Sequence, residues 1–247
     1  MNWPQYALSY QLEDTHWWFA GRRDLAQQLL ARWVAPAPDA RLLDVGCGTG
    51  GNLQALAGQW TAHGLDISPA ALHFARRRPL RRLLQGSGLA LPYPASSFEA
   101  VTGFDVLYHR WITDDSRALR EMARVLKPGG WLLLTDSALP RLWSSHDERY
   151  FARQRYTLPQ MQARLAQAGF APRLCSYTNF LLLPVVALVR LTMDRLPIYG
   201  NIDRAGAFPG WLNSALTRVR TLEAGWLGHG HTLPIGGSLV CLAQKKE

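Results

Sequence analysis

Apolar positions along the chain change their period several times, and each change marks an element. Residues 13–34 place Trp18, Leu25, Leu29 and Trp33 on one face at a 3.6-residue period, which predicts a helix ended by Pro36-Ala37-Pro38. From residue 41 short apolar runs alternate with amphipathic stretches. LLDVG reads as a buried strand followed by a helix from about Gly51, and AHGLDIS as a second strand ending at Asp66. SPAALHFARRR follows as a helix with Ser68 at the N-cap and Pro69 at the first helical position. LRRLLQG is a third strand and FEAVTGF, residues 98–104, a fourth. Residues 114–126 form a helix with Leu119, Met122, Ala123 and Leu126 inward; Lys127-Pro128-Gly129-Gly130 is expected to stop it, before a fifth strand, WLLLTD. Thr157 and Gln160 make a capping box for a helix with Met161 and Leu165 inward and Gly169 as its stop. FAPRLCSYT and SLVCLAQ are the last two strands.

Strands alternating with helices predict an α/β fold with a largely parallel sheet covered on both faces. Roughly fifty residues between the last two strands fit no simple α/β step. Within them FLLLPVVALVRL, residues 180–191, is apolar but twelve residues long, against the ~20 needed to span a bilayer. It is expected as a buried helix or lid, with an element dipping into a membrane interface as the alternative. The boundaries expected are an N-terminal helical cap (1–38), an α/β core (39–178), a helical and apolar insertion (179–232) and a last core strand (233–247).

Composition narrows this picture only a little. The 247 residues are 48% hydrophobic, enough for a sizeable core. The net charge of +9 comes mainly from arginine and favours acidic partners or an anionic membrane. The cluster Arg76-Arg77-Arg78 with Arg81-Arg82 lacks interleaved aromatics, so it is read as solvated surface at a sheet edge rather than a nucleic-acid site. Cys47, Cys175 and Cys241 are too far apart for zinc spacing, so no metal is expected and the thiols are taken as reduced. The N-terminal segment has no basic region followed by an apolar core and does not resemble a signal peptide. A cytoplasmic location follows as the expectation, with peripheral contact at the inner membrane face as the alternative.

The chemistry concentrates in RLLDVGCGTGG, residues 41–51. Gly46, Gly48 and Gly51 fit the G-x-G-x-x-G dinucleotide fingerprint. Asp44 followed by Gly46, Gly48 and Gly50 fits a loop for S-adenosylmethionine (SAM). Both ligand classes use backbone N–H groups of such a loop and an acid at the end of the second strand for ribose hydroxyls, here Asp66. Asp44 tilts the balance, because a carboxylate two residues before the first glycine repels a pyrophosphate and attracts a sulfonium ligand that carries an ammonium group.

Four segments in order then resemble class I SAM-dependent methyltransferases of the broad type 11 group: LLDVGCGTG, GLDIS, LALPYPASSFEAV and LREMARVLKPGGWLLL, within residues 41–136. The resemblance implies a Rossmann-like, seven-stranded sheet whose last strand is antiparallel, with SAM as cofactor. The flanks EDTHWWFAGRR and LWSSHDERYFARQRYT are similar to a bacterial subset of these enzymes. The acid that the family commonly carries after the third strand is missing, which leaves Ser87 or the Gly88 and Leu89 backbone at the adenine edge.

By this reading Asp44, Gly46, Gly48, Gly50 and Asp66 contact SAM, with Cys47 contributing its backbone. Ile67 is expected to pack on adenine and Phe104 to face the methionine portion. Arg22 shares the apolar face of its helix, so its charge requires an anion, either the SAM carboxylate or a structural acid. His146 beside Asp147, and His109 after strand four, are the candidate catalytic bases, with His16 a third. Trp17, Trp143 and Tyr156 are expected to line an acceptor pocket. The expected activity is methylation, most readily at oxygen, of a small or lipid-like acceptor with an apolar or aromatic body. The alternatives are methylation of a membrane-resident lipid or quinone precursor, and SAM binding without turnover.

Overall fold

The structure, a computed structural model, describes residues 3–188, 190 and 208–247. Residues 189 and 191–207 of the expected insertion lie outside the described residues. Seven strands form one sheet in the order β3-β2-β1-β4-β5-β7-β6. They are β1 (Arg41–Val45), β2 (Thr61–Asp66), β3 (Leu83–Gln85), β4 (Phe98–Phe104), β5 (Leu126–Ser137), β6 (Phe170–Thr178) and β7 (Ser238–Lys245). The first five pair in parallel, and β7 runs antiparallel to both β5 and β6. This is the expected α/β sheet with its last strand antiparallel.

Both faces of the sheet are buried, so its strands are apolar at successive positions rather than at alternate ones. Leu43, Val101, Leu132 and Leu134 face a core with Leu119, Met122, Met161 and Leu165. These come from helices α5 (Asp115–Val125) and α7 (Leu158–Gln167). Leu42, Ala100, Leu133 and Val240 face the opposite core, with Leu25, Leu29, Leu53 and Leu227. They belong to α2 (Trp17–Trp33), α3 (Gly51–Leu56) and α9 (Gly210–Gly228). The α2 and α9 helices meet so closely that a Cβ on Gly21 would lie 2.5 Å from the Arg220 Cβ. The shorter helices are α1 (Trp3–Leu12), α4 (Pro69–Ala75), α6 (Ser145–Arg149) and α8 (Leu183–Leu188). Ser68 and Thr157 cap α4 and α7 as expected.

Five expectations need correction. The helix predicted over 13–34 starts at Trp17, because the chain leaves α1 at Leu12 and Glu13 turns inward. Lys127-Pro128-Gly129-Gly130 does not separate helix from strand. It lies inside β5, where the register against β4 shifts between Phe98 and Ala100 and Gly129 has φ +70°. The third strand is only three residues long. Arg78 is not solvated surface: it is 8% exposed, and its guanidinium meets Glu13, Asp14, Gln54 and the Thr49 carbonyl. Finally, α8 has no buried residue, so the described part of the apolar segment is not a core helix. Among the described residues no helix is long and apolar enough to cross a membrane.

Candidate active site

The loop after β1 turns through three glycines with positive φ: Gly46 at +74°, Gly48 at +56° and Gly50 at +89°. At Gly46 a Cβ would also stand 2.6 Å from Val106 Cγ2, so both conformation and space require glycine. Gly46 and Cys47 both donate their N–H to the Leu65 carbonyl, which ties the loop to β2. The Cys47 thiol is buried, and burial together with Asp66 and Asp44 pushes its pKa well up, so its sulfur is inert and its backbone is the useful part.

Asp66 ends β2 with both carboxylate oxygens holding backbone: Oδ2 accepts from Gly48 N at 2.9 Å and Oδ1 from Ser68 N at 2.8 Å. Burial raises its pKa, and these two N–H groups oppose the rise. Tyr6 of α1 lies over this corner, its phenol pushed up to about 12 by burial and by the Asp66 charge. Ile67, next along, is 40% exposed. An isoleucine left this exposed beside a buried acid is not part of the core. Ser87-Gly88-Leu89 forms a tight turn, with Ser87 Oγ accepting from Leu89 N and the buried Gly88 against Val45 and Ile112.

Asp44 is the most unusual group here. It is 1% exposed, with Oδ1 accepting from the Thr102 hydroxyl at 2.8 Å and Oδ2 buried without a partner. Burial raises its pKa from 3.8 to about 7, against the opposing effects of Thr102 and Arg22. A buried carboxyl with an open lone-pair side calls for a donor or a cation. Arg22 finds its anion in Asp105, just past β4, at 2.5 Å. The structural acid therefore holds this arginine, which also lies over the Phe19 and Phe104 rings, while its Nε is buried without a partner. Phe104 is 6% exposed beneath it.

The choice between ligand classes turns on Glu13. Its carboxylate, 6% exposed, accepts from the Thr49 hydroxyl at 2.6 Å and from Gly51 N at 3.2 Å, and pairs with Arg78. The first amide of α3, where a dinucleotide would place its pyrophosphate, is thus taken by a carboxylate of the chain itself.

The other expected site residues divide. Tyr156 is core: 1% exposed, its hydroxyl between the Leu107 carbonyl and Asp115, its pKa driven up by burial. It lines no acceptor pocket. Trp143 is 39% exposed after a short 3-10 turn. Trp17 stands edge-on to Trp18 and Phe208 at the start of α2, with its backbone N–H donating to Asn213 Oδ1. His146 lies against the Tyr150 ring on α6. The Asp147 carboxylate closes the helix capping box with Ser144 and pairs with Arg155 and Arg190. His109 accepts the Trp111 N–H through Nδ1, which puts its own proton on Nε2, and burial with Arg110 lowers its pKa to about 4. His16 uses Nδ1 in the same way to cap α2 at Trp18 N. Sequence reasoning missed Glu13, Asp105 and Asp136. Asp136 accepts from the N–H groups of Leu107, Tyr108 and Ser137 and so fixes the loop that carries Asp105.

Residues 43–134, from β1 to β5, match the family model described as a methyltransferase domain. The chain carries a methyltransferase domain. The domain's relatives include the fatty-acid O-methyltransferase of Mycolicibacterium smegmatis, 36% identical over 52% of this chain and 43% of that protein. The 2-phytyl-1,4-naphtoquinone methyltransferase of Thermosynechococcus vestitus is 32% identical over 56% of this chain and 64% of its own length. A demethylmenaquinone methyltransferase of Tropheryma whipplei is 32% identical over 61% and 59%. The chain thus spans less than two thirds of the length of each of these relatives.

Among solved structures, the geranyl diphosphate C-methyltransferase of Streptomyces coelicolor aligns with a TM-score of 0.59 at 18% identity, over 90% of this chain and 78% of that one. The cyclase SpnF aligns with a TM-score of 0.59 at 24% identity, over 91% and 81%. What is shared at these identities is the fold of the methyltransferase domain. Since a cyclase shares it too, function has to be argued from the site.

Proposed function

We propose that this chain transfers a methyl group from SAM to an acceptor with a lipid-like or quinone-like apolar body, at oxygen. The single observation that carries the reading is the buried, half-satisfied carboxyl of Asp44 at the foot of a glycine loop whose anion position Glu13 already fills. Such a site rejects a pyrophosphate and accepts a cation. SAM, when bound, supplies an electrophilic methyl group on sulfur. Asp44 faces its ammonium group, Asp66 takes the ribose hydroxyls, and Ile67 with the Ser87–Leu89 turn flanks the adenine. Phe104 lies beside the methionine portion, and Arg22 is held over its ring by Asp105.

The named relatives act on a fatty acid, a phytylated naphthoquinone and a demethylmenaquinone, which supports an acceptor of that character here. Methyl transfer is a displacement in which the protein chiefly positions the nucleophile, an effect worth roughly 7–11 kcal/mol when alignment is good. Peripheral contact with a lipid surface is part of the proposal, since Leu181, Val185 and Leu188 are each more than half exposed.

The test pairs binding with turnover. Calorimetry with SAM, S-adenosylhomocysteine and NAD should show binding of the first two only. A labelled-methyl screen over fatty acids, phenols and quinol precursors should find an acceptor. Tight NAD binding without a SAM signal overturns the reading, and SAM binding with no transfer to any class would make the chain a binding protein.

A further inference from the structure

A second polar cleft lies beside the proposed cofactor site, at the same edge of the sheet. It is bounded by Asp105 after β4, Thr135 on β5, Asn179 after β6 and Ser238 at the start of β7, and is roofed by Trp18 and Arg22 of α2 and Arg220 of α9. Thr135 is the β5 partner of Phe104, so the cleft is one strand removed from the residue placed at the methionine portion. As it stands it admits little more than one water-sized group, so only the head of a ligand enters it.

Its chemistry is unusual. Ten buried side-chain nitrogen or oxygen atoms lack a partner among the described residues, and four of them belong to residues that line this one cleft: Arg22 Nε, Thr135 Oγ1, Asn179 Oδ1 and Arg220 Nε. Thr135, Asn179 and Arg220 are 6%, 3% and 4% exposed. Buried groups left unpaired are costly, and their convergence marks a place meant to be filled. Each arginine has one edge engaged, Arg22 by Asp105 and Arg220 by Glu223 and Thr178, which leaves the Nε–H of each aimed elsewhere. The Thr135 hydroxyl rotates freely to donate. Asn179 donates Nδ2–H to Ser238 Oγ at 3.2 Å. Turning that amide over brings Nδ2 into the cleft, with the serine hydroxyl donating to Oδ1 instead. All four groups then present donors. A group with acceptors only and two oxygens on one carbon satisfies them, whereas an alcohol brings a donor of its own.

We infer that this cleft reads the carboxylate of the methyl acceptor, held by the free edges of Arg22 and Arg220 with Thr135 and Asn179, so that the substrate is an organic acid and the product its methyl ester. The inference rests on the methyltransferase reading above. It also explains the histidines. A carboxylate is ionised at neutral pH and requires no base, and both His16 and His109 have Nδ1 engaged by a backbone N–H. A carboxylate oxygen forms the new bond to the methyl carbon as the carbon–sulfur bond of SAM breaks. The electron pair of that bond stays on sulfur, which becomes a neutral thioether, and no proton moves.

The test is a titration of decanoate and of decan-1-ol into the protein with S-adenosylhomocysteine present. Decanoate is expected to bind, and decan-1-ol at least about tenfold more weakly, because the alcohol leaves buried donors unpaired. Thr135→Val removes an unsatisfied hydroxyl isosterically, so folding is preserved; it should weaken decanoate by about fivefold or more and leave S-adenosylhomocysteine unchanged. Arg220→Met should abolish the preference for the acid, and Thr135→Val decides the matter if that variant does not fold. Labelled methyl from SAM should be recovered as methanol after alkaline hydrolysis of the product. Equal binding of acid and alcohol, or no effect of Thr135→Val on decanoate, overturns the inference and leaves the cleft a water site. Failure to bind S-adenosylhomocysteine overturns the methyltransferase reading instead, and the comparison of acid with alcohol is read independently of it.

Discussion

Cofactor affinity should depend steeply on pH through Asp44. In the ligand-free protein its carboxyl is held at about 7 instead of 3.8, with burial as the main cause. That shift corresponds to roughly 4 kcal/mol for ionising it in place. The sign for stability follows from proton counts. Between about pH 4 and pH 7 the folded state keeps a proton that the unfolded state has lost, so the ligand-free protein loses stability as pH rises through that window. For a cationic ligand the dependence is reversed, because the ammonium group favours the ionised carboxylate and binding expels the proton. At pH 5.5 the ligand-free group carries its proton in all but a small fraction of molecules, so SAM affinity should be ~30-fold weaker than at pH 8. Calorimetry across this range, in buffers of different ionisation enthalpy, would show about one proton released per SAM bound at pH 5.5. In Asp44→Asn the amide keeps a partner for Thr102 but has no charge, so affinity at pH 8 should fall and the slope should flatten. A wild-type affinity that does not change between pH 5.5 and 8, or a slope that persists in Asp44→Asn, would refute the reasoning.

Other consequences are simpler to state. Glu13→Ala should cost ~3–5 kcal/mol, since it strands the buried Arg78 guanidinium; a melting temperature equal to wild type would show that Asp14 and Gln54 suffice. Asp66→Ala should weaken SAM at least ~10-fold, through lost charge-assisted hydrogen bonds to ribose and a loosened Gly48 amide, and an unchanged dissociation constant removes it from the site. His109→Ala and His146→Ala should each lower kcat by less than ~10-fold, below the range typical of a general base; a hundredfold loss in either would restore a proton-abstraction step. Flotation with anionic liposomes should carry the protein through its exposed apolar residues and positive charge, and Val185→Asp with Leu188→Asp should reduce it.

Elements whose signals lie within a few residues were legible in the sequence. The caps at Ser68 and Thr157, the apolar faces of α5 and α7 and the runs of β1, β2 and β4 each depend on neighbours in the chain, and each falls where its pattern places it. The errors arise where a distant partner overrides local preference. A helical period runs smoothly through residues 13–17, yet the chain breaks there because Glu13 gains more from Thr49 and Gly51, thirty-six and thirty-eight residues away, than from continuing a helix. Arg78 reads as one of several surface arginines until that same carboxylate is placed against it. The histidines are a different case. His16 and His109 are each two residues before a tryptophan whose N–H they accept, and this His-x-Trp spacing is a local signal that was open to being read.

The glycine loop illustrates how far a motif goes. Its spacing fits two ligand classes because both need a close backbone approach and an acid on the second strand, and nothing within residues 41–51 separates them beyond Asp44. The separation is built from outside. Glu13 arrives from the N-terminal turn and spends the loop's anion-binding amide internally, while Thr102 on β4 takes one oxygen of Asp44 and leaves the other open. One carboxylate occupies the first amide of α3, and the other keeps a buried oxygen without a partner. Removing Glu13 alone would reopen the amide without removing Asp44, so a pyrophosphate would still meet a negative charge at the foot of the loop. Asp44 and Glu13 therefore act as two independent barriers to a dinucleotide, and only Asp44 also attracts the ligand that the loop is proposed to hold.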